Sequence, residues 1–210
     1  MILRPILISA PMIPALLDCS KTQARRIVKC TDSGRVKAVG SARNWHLDDP
    51  DAVLACPYGV VGDRLWVRET WDFLPSGPQR AMIRYWAGGD NEERDVPEDF
   101  DPMLYGKEHQ RPSIHMPRWA SRLTLEITDV RVQRVQEISE PDARAEGAEL
   151  LYLRVPTLSA MRRGHAGWMH ESERSYRGGF AFIWDTINAK RGHGWNVNPL
   201  VWAIAFREVP

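Results

Sequence analysis

Three cationic side chains lie within six residues near the start of the chain, at Lys21, Arg25 and Arg26. The segment Lys21-Thr22-Gln23-Ala24-Arg25-Arg26 follows a short apolar stretch at residues 11–17 and leads into an extended run, so we predict that it lies at a helix-to-strand junction. Cations gathered at one corner of a fold suit an anionic or carbonyl-bearing ligand. These six residues alone leave a solvated basic loop open as the alternative.

A glutamate at the end of a predicted short helix is the second candidate for chemistry. Ser139 begins that helix, Asp142 stands three residues later as a variant of the capping box, and Gly147 ends it. Glu146 therefore lies in the last turn, where the helix dipole disfavours an anion by up to ~1 kcal/mol. A cationic partner or a raised pKa would offset this cost, and either suits catalysis. The alternative is an exposed glutamate in a frayed helix.

Glu69 and Trp71 follow the apolar part of a predicted strand and are candidates for substrate binding. A carboxylate can accept from an exocyclic amine, and an indole can stack on a nucleobase with a free energy of ~1–3 kcal/mol. The alternatives are a core position for Trp71 and a surface ion pair of Glu69 with Arg68 or Arg84.

Further candidates are Ser113 and His115, which we predict to alternate on a short extended segment, and Arg26. His115 could assist proton transfer or bind substrate, although a lone histidine often satisfies a backbone group instead. Arg26 could hold a carbonyl, an oxyanion or a phosphate, or form an ion pair at a sheet edge. Trp66, Trp119, Trp184 and Trp202 are assigned to packing.

The bulk composition narrows the class of ligand. Hydrophobic residues make up 43% of the 210 residues, which is enough for a core. The formal net charge is +1, with 28 basic and 27 acidic residues. A protein that coats long nucleic acids usually carries a larger basic excess, so we expect a small ligand or a local nucleic-acid contact.

Cysteine usage and the N-terminus predict a reduced, cytoplasmic protein without a membrane partner. Cys19, Cys30 and Cys56 are odd in number and form no C-x-x-C pair. A zinc site from these cysteines with His46 is the disfavoured alternative, and we expect neither a metal nor a cofactor. No apolar stretch approaches ~20 residues, and the N-terminus lacks the features of a signal peptide.

The predicted elements indicate an α+β fold built around a small, curved, mostly antiparallel sheet or barrel. Alternating patterns predict strands at residues 2–8, 64–71, 80–86, from 123 onwards and 200–209. The spacing of Phe180, Ile183, Trp184 and Ile187 predicts a core-facing helix that ends at Gly192. Residues 91–112 and 150–178 show no sustained period and are interpreted as loops or insertions.

The order of these motifs resembles the ASCH family of PUA-like β-barrels. A short helix, K-T-x-x-x-R, a G-D turn before a strand, a strand-to-helix unit ending in Glu and a final aromatic-rich strand carry the resemblance. The matching stretches cover about half of the chain: Lys21 to Arg26, Gly62 to Val67, Leu123 to Gly147 and Trp202 to Phe206. A longer form with W-V-R-E-T-W and R-P-S-I-H-M-P-R-W-A-S-R is similar to proteins common in phage and prophage genomes.

The resemblance implies one domain over residues 1–210, with short flanking helices and insertions near 72–112 and 150–178. Some ASCH proteins are amidohydrolases that remove the acyl group from N4-acylcytidines, using a lysine, a threonine three residues later and a glutamate. The lysine matches Lys21, and the E-x-x-A-x-x-E spacing from Glu140 assigns the glutamate to Glu146. The threonine falls on Ala24, which has no hydroxyl, so an activated water is the remaining nucleophile.

Three functions follow from the resemblance, and the first is preferred. It is a metal-independent amidohydrolase acting on a nucleoside. The second is a catalytically silent module that binds RNA or a modified base, with phosphate contacts from the pairs Arg25/Arg26, Arg162/Arg163 and Lys190/Arg191. The third, a metal-dependent nuclease, lacks a clear cluster of carboxylates or histidines.

Overall fold

A computed structural model describes residues 1–29, 36–37, 44–45, 50–100, 110–149, 151–156 and 168–210 of the chain. The fold is mixed α+β, with many strands and few short helices. The strands are β1 Leu3–Leu7, β2 Gln23–Ile27, β3 Val36–Lys37, β4 Asn44–Trp45, β5 Arg64–Arg68, β6 Trp71–Gly77, β7 Arg80–Tyr85, β8 Asn91–Asp95, β9 Thr124–Arg134, β10 Leu151–Pro156, β11 Trp168–Ser175 and β12 Leu200–Val209. The α-helices are α1 Ile13–Leu17, α2 Glu140–Ala145 and α3 Tyr176–Asn188.

The chain divides into two compact units. The single domain with two insertions stays a prediction. The first unit comprises Met1–Cys19, Cys56–Asp129 and Phe206–Pro210, and the second comprises Ser20–Ala55 and Val130–Ala205. Strands β9 and β12 therefore contribute one segment to each unit. No helix formed by the described residues combines the length and apolar character that crossing a membrane would require.

Two sheets build the first unit. In one, β1 pairs in parallel with β5, and β5 pairs antiparallel with β9, with Leu65 opposite Leu125. The other is an antiparallel meander in the order β6-β7-β8. Its apolar face forms a core in which Trp71, Phe73, Ile83 and their neighbours are at most 5% exposed. Large apolar side chains on one face of a sheet stabilise it by burial.

The second unit packs helices against one face of a sheet in the order β9-β12-β2. β12 and β2 are antiparallel, and Ala203 lies opposite Arg25 while Ile204 lies opposite Ala24. Because directly opposite residues share a face, this register assigns each β2 side chain to one side of the sheet. A buried core joins α2, α3, β12 and the segments that flank α2: Val135, Ile138, Ala143, Ala148, Phe180, Trp184 and Val201.

Several predicted elements are confirmed, and the confirmed ones carry strong local signals. Helix α2 begins after Ser139, whose hydroxyl accepts from the Asp142 N–H, and Gly147 follows it with a φ of 79°. Gly192 likewise has a positive φ after the helical segment at residues 176–191. Strand β12 matches the predicted strand at 200–209. Side-chain caps and left-handed glycines are local, so the sequence shows them directly.

Other predictions are corrected by the structure. The mixed α+β class is confirmed. The predicted barrel is not seen, because no sheet closes on itself across the described residues. The single strand predicted at 64–71 is two strands, β5 and β6, which belong to different sheets. The apolar residues Leu65 to Val67 are followed by three polar residues, Arg68 to Thr70, before Trp71, so the sequence does carry a sign of the break.

The two predicted insertions also contain strands. β8 has the sequence NEERD and is mostly exposed, so it has no apolar period and is held by its pairing with β7. Residues 150–178 include the antiparallel pair β10–β11 and the start of α3, while 157–167 and Arg162 and Arg163 lie outside the described residues. Ile187, predicted to face the core, is 44% exposed near the end of α3.

Gly179 in α3 is expected to tolerate no side chain. A Cβ at this position would overlap the backbone carbonyl oxygen of Glu149, which cannot move as a side chain can. We expect Gly179→Ala to lower the free energy of unfolding by at least about 1–3 kcal/mol, the usual cost of overpacking. Urea denaturation measures this, with Gly77→Ala as the control, because a Cβ at Gly77 meets its nearest atom at 3.7 Å. Equal stability of the two variants would contradict the close approach.

Candidate active site

The end of α2 is closed by the segment that precedes β2. A helix leaves its last carbonyl oxygens without partners inside the helix. The backbone N–H of Thr22 donates to the Ala145 carbonyl oxygen at 2.8 Å, and the Lys21 Nζ donates to the Glu146 carbonyl oxygen at 2.7 Å. Lys21 is therefore fixed at the helix terminus by a backbone contact as well as by its ion pair.

Lys21 and Glu146 form a buried ion pair. The Lys21 Nζ lies 2.8 Å from Glu146 Oε2, and the two side chains are 5% and 7% exposed. The other carboxylate oxygen, Oε1, accepts from Arg25 Nη1 at 2.9 Å. Glu146 thus has the cationic partner that its place at the helix C-terminus requires, and it has two of them.

Arg25 connects this pair to a second carboxylate. Its side chain is fully buried, and Nη2 lies 3.3 Å from Asp142 Oδ2. Gln23 donates from Nε2 to Asp142 Oδ1 at 2.8 Å. The guanidinium also lies over the ring of Phe180, 5.6 Å from the centroid, as cation–π contacts do. Two buried cations, Lys21 and Arg25, therefore face two anions, Asp142 and Glu146.

The surroundings shift both pKa values of the central pair. Burial lowers the pKa of Lys21 below its usual 10.5, more than Glu146 raises it, and the nearby charges of Arg26 and Arg25 lower it further. Burial opposes ionisation of Glu146, but Lys21 and Arg25 outweigh it, so the pKa of Glu146 is lowered. Glu146 is accordingly an anion, and the neutral amine of Lys21 is more accessible than that of a free lysine.

Ala24 lies on the other face of β2 from Arg25, because successive strand residues point to opposite faces. It is fully buried, and its opposite residue on β12, Ile204, is also fully buried. Arg26 shares the face of Ala24, is partly buried and donates to the Arg25 carbonyl oxygen at 3.0 Å. The catalytic role that the resemblance gives to position 24 and the substrate-binding role predicted for Arg26 both stay predictions.

Glu69 belongs to the first unit, where it is bound by Arg122. Arg122 Nε lies 2.9 Å from one carboxylate oxygen and Nη2 lies 2.9 Å from the other, and Glu69 is 1% exposed. The guanidinium also contacts Asp90 at 2.7 Å and lies over the ring of Tyr85. The ion-pair partner of Glu69 is thus Arg122, and not Arg68 or Arg84 as the alternative prediction had it. A separation of 53 residues gives no periodic signal for this pair.

The other predicted substrate-binding residues also lie in the first unit. Trp71 is 1% exposed and packs in the core against Phe73 and Trp119. Ser113 and His115 form a 3-10 helix, which corrects the predicted extended segment. Their roles in binding stay predictions. The predicted set divides as follows: Lys21, Ala24, Arg26 and Glu146 lie in the second unit, and Glu69, Trp71, Ser113 and His115 lie in the first.

Replacing Arg122 with Met is expected to destabilise the first unit strongly. The change leaves the buried Glu69 carboxylate without its bidentate partner, and such losses cost about 3–5 kcal/mol. Burial already raises the pKa of Glu69 in spite of Arg122, and loss of the guanidinium raises it further. In the variant, the folded-state pKa of Glu69 lies above the unfolded-state value of about 4.5, so folding takes up a proton on Glu69 as the pH falls. The loss of unfolding free energy relative to wild type therefore becomes smaller toward acid pH.

Urea denaturation at about pH 7 and about pH 4 measures the Arg122→Met deficit at both values. The control is Arg207→Met, because Arg207 forms an exposed ion pair with Glu126 and such pairs contribute about 1 kcal/mol or less. A deficit that stays constant or grows toward acid pH would contradict the assigned partner of Glu69.

Sequence reasoning named Arg25 only as a nearby cation and missed its contacts with Glu146 and Asp142 and the bond from Gln23 to Asp142. Gln23 and Arg25 stand two residues apart on one strand and so share a face, which is a signal that the sequence does contain. Asp142 was assigned only to the helix cap. Cys19 and Cys56 are free thiols, and Cys30 and His46 lie outside the described residues. Among the parts of the chain that the structure describes, no group of three or more metal-ligating side chains assembles.

Comparisons of the chain with protein-family models, with curated proteins and with solved structures found no match in any of the three.

Proposed function

We propose that this protein is an amidohydrolase that removes the acyl group from N4-acylated cytosine or cytidine. The observation that carries the proposal is the buried pair of Lys21 and Glu146, with Nζ 2.8 Å from Oε2. The resemblance to ASCH amidohydrolases assigns these same two residues to proton transfer. A lysine enclosed in this way has a lowered pKa, which an amine that acts as a base near neutral pH needs.

The reaction proceeds by attack of water on the acyl carbonyl carbon. Neutral Lys21 takes a proton from the water as its oxygen forms the new C–O bond, which gives a tetrahedral intermediate. The bond from the carbonyl carbon to the exocyclic nitrogen then breaks, and the Lys21 ammonium returns the proton to that nitrogen. The products are cytidine and the carboxylic acid. Water is the nucleophile because Ala24 provides no hydroxyl.

Glu146 stabilises the ammonium that forms on Lys21 during the reaction. Its carboxylate is held by Arg25 on one oxygen and faces Lys21 with the other. A buried anion at this distance favours protonation of the amine, so it assists the step in which water loses its proton. The two groups titrate as a coupled pair.

Turnover of N4-acetylcytidine tests the proposal. Purified protein is incubated with N4-acetylcytidine and with analogues carrying longer acyl groups, and released cytidine is measured by liquid chromatography. Release that persists in the presence of a chelator supports the metal-independent reaction. If no acyl group is released under any condition at which the protein is folded, the hydrolase proposal is to be dropped.

The pH dependence of hydrolysis should reflect the burial of Lys21. Neutral Lys21 is the active form, so we expect kcat/KM to rise with pH and to reach a plateau. Burial lowers the pKa of Lys21, so the midpoint of the rise should lie below 10.5. Initial rates from about pH 6 to about pH 10 measure the profile. A rate that falls steadily over this range would contradict a lysine base.

The alanine at position 24 favours a second candidate function, a catalytically inactive module that binds a modified base or RNA. The family-like threonine hydroxyl is absent at this position, and the alanine is fully buried. Such a module would bind N4-acetylcytidine or an oligonucleotide containing it without releasing cytidine. Equilibrium binding at two salt concentrations separates the cases, because contacts to phosphates weaken steeply with salt. Binding without turnover would establish this candidate in place of the hydrolase.

A further inference from the structure

We infer that Arg25 is a positioning residue, which holds one oxygen of the Glu146 carboxylate and thereby presents the other to Lys21. The inference rests on the proposed function, because it assigns Arg25 a part in the same site. Arg25 lies outside the residues that the resemblance implies for catalysis, so only the geometry indicates this role.

The contacts divide the Glu146 carboxylate between two cations. Arg25 Nη1 lies 2.9 Å from Oε1, and Lys21 Nζ lies 2.8 Å from Oε2. A carboxylate with a single partner can rotate about its terminal bond, which has a broad, two-fold torsional preference. With both oxygens bound, rotation would break two charge-assisted hydrogen bonds at once.

Arg25 is itself fixed at a second point. Nη2 lies 3.3 Å from Asp142, which also accepts from Gln23, and the side chain of Arg25 has no exposed surface. The planar guanidinium presents its N–H groups in a rigid arrangement, so anchoring one side orients the other. A lysine at position 25 would carry the same charge without this geometry.

A comparison with Arg131 separates geometry from charge. Arg131 Nη2 lies 3.5 Å from the same Asp142 oxygen that Arg25 contacts, but its side chain is 43% exposed, whereas that of Arg25 is fully buried. Removing Arg131 therefore removes a nearby positive charge and leaves the contact between Arg25 and Glu146 intact. Arg131→Met is the matched control for Arg25→Met.

The charged groups that face Lys21 come from both elements packed around it. Glu146 belongs to the end of α2, and Arg25 and Arg26 belong to β2. Arg25 lowers the pKa of Lys21 and also that of Glu146, and its loss removes both effects. Both titrations should therefore move to higher pH in Arg25→Met.

Two readouts test the inference, and the first needs no substrate. Protein labelled with ¹³C at lysine Cε and glutamate Cδ is titrated by NMR, with Lys21→Met and Glu146→Gln used to assign the resonances. In Arg25→Met and Arg25→Lys we expect the Glu146 midpoint to move up, while Arg131→Met leaves it unchanged. Arg25→Lys serves alone if Arg25→Met does not fold.

The second readout is hydrolysis of N4-acetylcytidine. We expect Arg25→Lys to lower kcat by about 10²-fold with little change in KM, because small misplacements of a catalytic group cost about this much. Arg131→Met should retain the wild-type kcat and pH profile.

Failure of the inference and failure of the proposed function give different results. If wild-type protein is inactive while Arg25→Lys shifts the Glu146 titration, the hydrolase proposal fails and the positioning of Glu146 by Arg25 stands. If wild-type protein is active and Arg25→Lys matches it in kcat, pH profile and both titrations, Arg25 has no positioning role. An equal Glu146 shift in Arg131→Met would also overturn the inference, since charge alone would then explain it.

Discussion

Hydrolysis of N4-acetylcytidine by the Lys21→Met protein is expected to be about 10²–10⁴-fold slower than by the wild type, the usual contribution of a general base. Methionine keeps the apolar length of the side chain and removes the amine that takes the proton from water. Glu146 keeps its contact with Arg25 at 2.9 Å, so no buried anion is left alone. The loss should therefore appear in kcat/KM with the protein still folded.

Lys29→Met is the control for this loss. Lys29 is an exposed lysine just after β2, so its replacement removes the same charge and amine from the same unit. We expect wild-type rates from Lys29→Met. Circular dichroism and a thermal melt of both variants exclude unfolding as the cause. A Lys21→Met protein that retains activity within about threefold of the wild type, well inside the range expected for a general base, would remove Lys21 from the mechanism.

The second large effect concerns stability. Glu146→Ala is expected to lower the free energy of unfolding by about 3–5 kcal/mol, because removing one member of a buried ion pair leaves an uncompensated charge. Here both Lys21 and Arg25 lose a partner, and the side chain of Arg25 is fully buried. Urea denaturation near neutral pH measures the loss. Glu126→Ala is the control, since its partner Arg207 is 67% exposed and the loss should be about 1 kcal/mol or less.

A double variant separates charge burial from packing in this result. In Lys21→Met with Glu146→Leu, no unpaired ammonium remains, and Arg25 keeps Asp142 at 3.3 Å. Replacing a buried ion pair by apolar residues of similar volume is often neutral for stability, so we expect most of the loss to be recovered. A double variant less stable than Glu146→Ala would contradict charge burial as the cause.

The pH dependence of the Glu146→Ala deficit has a definite sign. The folded-state pKa of Glu146 lies below its usual 4.5, so its stabilisation is fully present above that value. It is lost as pH falls through the lower folded-state pKa. The stability difference between wild type and Glu146→Ala should therefore narrow in strongly acidic solution.

The sequence was most informative where short-range chemistry decides the structure. The cap at Ser139, the left-handed Gly147 and the alternation of β12 are each visible within a few residues, and all are confirmed. The α+β class followed from these elements. β8 escaped prediction because a mostly exposed, polar strand has no apolar period, and its pairing with β7 depends on residues elsewhere in the chain.

The candidate site shows the same division. Glu146 at a helix C-terminus needed a cation, which the sequence indicated, and a lysine and an arginine supply it. The identity of Arg25 as the second cation required the register of β2 and its packing on α2. For Glu69, the bidentate partner 53 residues away could not be found from any local pattern. Long-range pairs of charged side chains depend on the three-dimensional contact alone.

Agreement between two midpoints tests the central claim most directly: the pH at which Lys21 Cε titrates by NMR, and the pH at which kcat/KM for N4-acetylcytidine is half-maximal. If the buried amine of Lys21 takes the proton from water, the two midpoints coincide and lie below 10.5. A Lys21 resonance that titrates at 10.5 or above, or a rate profile with no midpoint where Lys21 titrates, would contradict it.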